Sequence, residues 1–172
     1  MVQENRLHTS DLIAPLFIVE GQQKKEPIPS MPGQFRFSLD VLQEEIKELT
    51  ELGIQAVLLF VKVDESQKDE TGSEAVNPDG LMQRAVQTVK ATASEMLVMT
   101  DVALDPYSSV GHDGIIDNGS IVNDETNEQL GKMALSHAQA RADMVAPSDM
   151  MDGRVAHIRS VLDEAGFTDC GI

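Results

Sequence analysis

A chain of 172 residues, 41% of them hydrophobic, carries enough apolar side chain for one packed core and, by length, for a single domain. Its 29 acids against 13 bases leave a net charge of -16, a field that repels phosphate backbones and anionic lipid, so nucleic acid and membrane surfaces are set aside as partners. One cysteine, Cys170, rules out an internal disulfide framework and a multi-cysteine zinc site.

The opening Met1-Val-Gln-Glu-Asn-Arg6 has no apolar leader, and no apolar run approaches the ~20 residues that span a bilayer, so a cytoplasmic location is expected. Residues 12–19 (LIAPLFIV) are a short, continuous apolar run, the pattern of a strand buried on both faces. Residues 21–37, rich in Gly, Pro and Lys, read as a long loop. Ser38 is placed to cap a helix whose Leu39, Leu42, Ile46, Leu49 and Leu52 recur at helical spacing and which Gly53 ends. The unit then repeats. Residues 54–61 (IQAVLLFV) predict a second strand, residues 62–78 a polar loop, and Asp79 caps a helix with Leu81, Ala85, Val86 and Val89 inward. Residues 96–103 (MLVMTDVA) predict a third strand, followed by a long loop over 104–123. Asp124 caps a helix that turns Leu130, Met133, Ala134, His137 and Ala138 inward. Residues 143–146 form a short fourth strand, before a helix striped with Val155, Ile158, Val161, Leu162 and Ala165 that Gly166 stops.

Four strand–helix units in tandem predict an α/β fold of parallel strands with right-handed crossovers. The nucleotide-binding doubly wound sheet normally shows a glycine fingerprint after its first strand, and Glu20-Gly-Gln-Gln-Lys-Lys-Glu-Pro27 is not one. All the long loops follow strands, which favours a (β/α)8 TIM barrel. Its complete form needs roughly 250 residues, so residues 1–172 are expected to form a single-domain N-terminal half-barrel.

Ligands bind such folds at the C-terminal ends of the strands, and two strands here end in polar clusters. Asp101, Asp105 and Asp113 gather after the third strand, where carboxylates can exchange protons, orient an amine or hold a hard cation. Turn chemistry at Asp105-Pro106 and Asp113-Gly114 explains those two equally well. Asp101 follows Val98-Met-Thr100 inside an apolar strand and needs a partner or a function. Ser148 and Asp149 follow the fourth strand; one can cap the next helix, which leaves the other free at the rim. Asp152 and Arg154 can pair with each other or with a neighbouring loop. His112 reads as a loop residue, and His8, His137 and His157 carry no functional signal. No lysine makes a persuasive nucleophile: Lys62 borders a polar stretch and stays solvated, and Lys24, Lys25, Lys47, Lys68, Lys90 and Lys132 read as loop or outer-helix charges.

The segments Leu12-Ile-Ala-Pro-Leu-Phe17, Ser30-Met-Pro-Gly33, Lys68-Asp-Glu-Thr-Gly-Ser-Glu-Ala75, Asn77-Pro-Asp-Gly80, Thr100-Asp-Val-Ala-Leu-Asp-Pro-Tyr107, Asn123-Asp-Glu-Thr126 and Ala146-Pro-Ser-Asp-Met-Met-Asp-Gly-Arg154 together resemble the delta-aminolevulinic acid dehydratase (porphobilinogen synthase) family. The resemblance implies a (β/α)8 barrel that condenses two molecules of 5-aminolevulinate into porphobilinogen with loss of two waters, on the route to haem and other tetrapyrroles. It implies two Schiff-base lysines on later strands, beyond Ile172, so that this chain alone is expected to be inactive. By the same resemblance Asp101 is an active-site aspartate and Ser148 a substrate-contacting serine. Ala103, Asp105 and Asp113 stand where zinc-type members carry cysteines, so no active-site zinc is expected. Asp105 and Asp113 then assist proton transfer or hold another cation, and magnesium is implied as an activator bound elsewhere. A homo-oligomer, octameric in the family, is implied too, with the family's N-terminal arm expected to be absent or cut to a stub. Val110 stands where a histidine is common, and Arg141 where a glycine is usual. Two readings compete: a metal-dependent carbon–carbon lyase using the acids as a magnesium site, and a non-catalytic half-barrel that self-associates.

Overall fold

The computed structural model describes residues 4–172; residues 1–3, part of the opening stretch read for a leader, lie outside the described residues. The first apolar run forms β1 (Ile13–Val19), which buries Leu16 and Ile18 on one face and leaves Ile13 51% exposed on the other. The loop expected over 21–37 instead contains a hairpin of β2 (Lys25–Pro27) and β3 (Phe35–Phe37), with β3 running parallel to the end of β1. The Phe35-Arg-Phe37 alternation is a strand period too short to stand out from sequence, and Lys25 Nζ, 5.0 and 5.4 Å from the two ring centroids, helps fasten it. α1 (Leu39–Glu51) buries Leu42 and Ile46, while Leu52, expected on the same stripe, lies past the helix end and is 61% exposed. Ser38 occupies the N-cap without capping: its hydroxyl accepts from the Lys24 amide at 2.9 Å and donates to Asp40, tying hairpin to helix. Gly53, at φ +81°, takes the left-handed turn that ends α1.

β4 (Ala56–Lys62) leads through two short 3-10 turns, Glu65–Gln67 and Ser73–Val76, to α2 (Leu81–Thr92). β5 (Leu97–Val102) is followed by the hairpin β6 (Ile116–Asp117) and β7 (Ser120–Ile121), which the expected 104–123 loop did not include. Asn118 and Gly119, both at positive φ, supply its two-residue turn. α3 (Asn123–Gln139), β8 (Met144–Pro147) and α4 (Arg154–Glu164) complete the chain. Neither Asp79 nor Asp124 is a cap. Gly80 and Val122 hold those positions without a side-chain bond, and Asp124 sits inside the first turn, where its charge suits the helix dipole. On α4, Ile158 and Leu162 are buried, whereas Val155 and Ala165 fall off the stripe and are exposed.

The large sheet runs β2-β3-β1-β4-β5-β8, and β1, β4, β5 and β8 are parallel. Alternation decides its two faces. Leu16, Ile18, Val57, Leu59, Val98 and Val145 are buried against the helices. Phe17 and Phe60, paired in register and stacked at 5.3 Å, lie on the opposite face with Ile13, Leu97 and Met99. Helices on one face and an apolar opposite face are what half of a barrel wall requires.

One charged residue, Lys90, behaves differently from its sequence reading, and a second, Arg141, takes the left-handed conformation that a glycine site implies. Lys90 is not an outer-helix charge: it is buried, donates to the Met96 carbonyl at 2.8 Å and pairs with Asp143 at 2.5 Å, whose carboxylate also accepts from the Val98 amide. Arg141 sits at φ +82° with its side chain exposed, a conformation that costs an L-residue on the order of 1 kcal/mol. Arg141→Gly is therefore expected to raise unfolding free energy by about 1 kcal/mol in urea melts at unchanged slope.

Candidate active site

Along β5, Val98, Thr100 and Val102 go beneath the helices, so Asp101 goes with Leu97 and Met99 to the open face near the strand's C-terminal end. Asp101 is in register with Ala146 of β8, and Ser148 lies two residues further along the same face. The Ser148 hydroxyl donates to Asp101 Oδ1 at 2.6 Å. The two strand ends thus meet at one rim, as their polar clusters predicted.

Burial pushes the Asp101 carboxyl up to about 6; the Ser148 hydrogen bond opposes this, and the charges of Asp105, Asp113 and Asp149 add to it. Asp105, although an exposed residue overall, is raised above its ordinary value by partial withdrawal of its carboxylate from water and by Asp113. The three acids singled out from sequence therefore share one electrostatic field. Asp113 is placed by the turn that follows it, where the Gly114 amide donates to His112 Nδ1 at 3.0 Å, so His112 serves the loop.

The segment after β8 departs from expectation. α4 begins only at Arg154, behind Gly153 at φ +78°, so neither Ser148 nor Asp149 caps it. Asp149 is buried, accepts from the Met151 amide at 2.7 Å and lies 3.1 Å from Arg154 Nε. Burial raises its pKa; the Met151 amide and the Arg154 charge pull the other way. Arg154 thus pairs with Asp149 rather than Asp152, whose backbone is gripped by α3.

Two residues gain a role that the sequence did not give them. Tyr107 is buried, with no hydrogen-bond partner for its hydroxyl among the described residues. Burial, then the Asp101, Glu74 and Asp105 charges, hold that phenol above its usual range. The signal available was its place in Asp105-Pro-Tyr107 as the only tyrosine of the chain. Asp69 organises the loop after β4. It accepts from the Thr71 amide and hydroxyl at 2.9 and 3.0 Å, and from the Ser73 amide at 3.0 Å and hydroxyl. The Ser73 hydroxyl leads in drawing its carboxyl down to about 2. Its backbone bonds to Tyr107 and Ser109, zipping this loop to the one that carries Asp105 and Asp113.

Lys62 ends β4 exposed to solvent, and Lys68 pairs with Glu65 at 2.7 Å. Among the described residues, no three His, Cys, Asp or Glu side chains stand together as a metal donor set. Cys170, the one thiol, is buried, and burial raises its pKa. No helix of the described residues is long and apolar enough to cross a membrane.

The sequence model of the family described as "Delta-aminolevulinic acid dehydratase" matches residues 1–172. Among curated relatives of that name, the chain is 51% identical to one from Bradyrhizobium diazoefficiens over 172 residues, all of this chain and 49% of the relative. It is 52% identical to one from Methanothermobacter thermautotrophicus over 171 residues, 98% of this chain and 52% of the relative. The crystal structure of delta-aminolevulinic acid dehydratase (porphobilinogen synthase) from Toxoplasma gondii ME49, in complex with the reaction product porphobilinogen, superposes with a TM-score of 0.95 at 51% identity, covering 98% of this chain and 48% of that one. The chain spans about half the length of the curated relatives it matches, and its fold is half of their (β/α)8 barrel.

Proposed function

The chain belongs to the delta-aminolevulinic acid dehydratase family, and on that premise we propose that it supplies the acid rim of a porphobilinogen synthase, which condenses two 5-aminolevulinate molecules with loss of two waters. The observation that carries this reading is the Ser148–Asp101 hydrogen bond at the rim of an open barrel wall. A carboxyl held near 6 is divided between its acid and base forms around neutral pH, so it can take a proton from a substrate carbon or amine and return one to a hydroxyl that departs as water. Ser148 steadies the ionised form and offers its oxygen to substrate. Asp105 and Asp113 keep negative charge beside Asp101, which favours an incoming cationic amine and raises the basicity of the carboxylate. The Schiff-base lysines that the family uses are expected outside this chain.

No three His, Cys, Asp or Glu side chains stand together among the described residues, and magnesium, which one or two carboxylates and water suffice to hold, would be an activator bound outside this half.

The test combines this chain with the C-terminal half of a relative and measures pyrrole formation from 5-aminolevulinate. Pyrrole is expected only when both halves are present. This chain alone, treated with 5-aminolevulinate and borohydride, should show no mass adduct; a stoichiometric adduct would place a Schiff-base lysine within it and overturn the division of labour proposed.

A further inference from the structure

We propose that the first turn of α3 is a positioning device for the rim, with Thr126, Asn123 and Asn127 fixing the spacing between the loop that carries Asp113 and the loop that carries Ser148; the importance of that spacing rests on the rim being the reaction site.

Helix starts usually spend polar side chains on their own unpaired amides. Here they do not. Val122 holds the cap position, and three polar side chains of the first turn reach other segments. Thr126, fully buried, accepts from the Ile115 amide at 3.0 Å while its hydroxyl proton goes to the Val122 carbonyl at 2.6 Å. Ile115 is two residues past Asp113. Asn127, also buried, donates to the Asp152 carbonyl at 2.7 Å. Asn123 holds the same residue at both its backbone groups, donating to the Asp152 carbonyl at 3.2 Å and accepting from the Asp152 amide at 2.8 Å.

The two loops also touch directly above this turn. A Cβ on Gly114 would lie 3.0 Å from the Met151 Cε and 2.8 Å from the Ile121 Cγ2, so Gly114 is the residue that lets Met151 approach. Met151 is itself held by Asp149 through its amide and by Arg154 through its carbonyl, the latter at 2.7 Å. The chain of contacts therefore runs from Asp113 through Gly114, Met151 and Asp149 to Ser148, with α3 gripping it on both sides. Thr126 and Asn127 are buried, so releasing either grip leaves a buried polar side chain without its partner.

Hydrogen exchange on this chain tests the device without substrate. Thr126→Val removes the acceptor for Ile115. A single unit predicts that the Ile115 and Asp152 amides both exchange faster, by roughly tenfold or more, while the β4 amides keep their protection. Thr126→Ser should restore both. Acceleration confined to Ile115 would overturn the proposal, because each loop would then be held separately. Should Thr126→Val fail to fold, Asn123→Ala reads the same coupling in reverse, from Asp152 to Ile115. A second readout is the Asp101 titration followed by carboxyl NMR. Asp113→Asn should lower its midpoint in the parent and lower it less in an Asn127→Leu background; equal shifts would count against the device. Failure here would leave the reaction assignment standing. An inactive reassembled enzyme with the coupling intact would sink the assignment alone.

Discussion

Asp101→Asn should reduce porphobilinogen formation by the reassembled halves roughly 10²- to 10⁴-fold, the range over which a positioned proton-transfer group acts. The substitution keeps the acceptor for the Ser148 hydroxyl, at 2.6 Å in the parent, and removes only the ability to take a proton. The loss should therefore fall on kcat, with KM little changed. In the parent, kcat/KM should rise with pH through about 6 as Asp101 ionises. Ser148→Ala removes the hydrogen bond that favours the ionised form, so the rising limb should move to higher pH. Asp113→Asn and Asp105→Asn remove charges that disfavour ionisation, so they should move it to lower pH. Opposite displacements from neighbouring polar substitutions are hard to obtain from a loss of stability. A limb that stays in place in all three variants would show that another group titrates.

The strands are legible because both faces of a barrel wall are apolar, one packed under the helices and one turned to the barrel interior, and residues 12–19, 54–61 and 96–103 are such runs. The rim was legible for the converse reason: Asp101 breaks its run where nothing structural asks for an acid. The two hairpins were not, since strands of two or three residues cannot express a period. The caps expected at Asp79, at Asp124 and at either Ser148 or Asp149 are misplaced because a cap is defined by the backbone turn preceding the helix, and Gly80, Val122 and Gly153 make those turns without a side-chain bond. Tyr107 and Asp69 owe their roles to contacts between loops far apart in sequence, which no local window contains. Asn123 and Thr126 belong to a segment that carries the family resemblance and Asn127 follows it, yet what they grip shows only when α3 is laid against the loops after β5 and β8.

His137 shows how a residue without a functional signal can dominate behaviour in acid, and the effect should be measurable against Asp101. His137 is fully buried, its Nδ1 lies 3.0 Å from Thr100 Oγ1, and its Nε2 has no partner among the described residues. Burial pushes its pKa down to about 3. The unfolded chain binds that proton near 6.5 and the folded chain does not, so below 6.5 acid favours unfolding by up to ~1.4 kcal/mol per pH unit, until His137 itself titrates. Asp101 has the opposite sign. Its folded pKa of about 6 lies above the unfolded value of 3.8, so between those pH values the folded state binds the extra proton and acid favours folding. Partial exposure makes this second slope smaller. Between pH 6 and 4 the two contributions oppose each other in the parent. His137→Gln keeps a polar atom for Thr100 but cannot take the proton, so its stability relative to the parent should climb as pH falls through that window. Asp101→Asn should do the reverse, losing up to ~1 kcal/mol per pH unit relative to the parent over the same range. Urea melts at half-unit pH intervals read both slopes, and the difference between variants removes the repulsion among the remaining acids, which all of them share. Parallel curves for His137→Gln and the parent would mean that His137 is already protonated inside the fold, and a buried imidazolium without a carboxylate partner is a state that its surroundings give no means to stabilise.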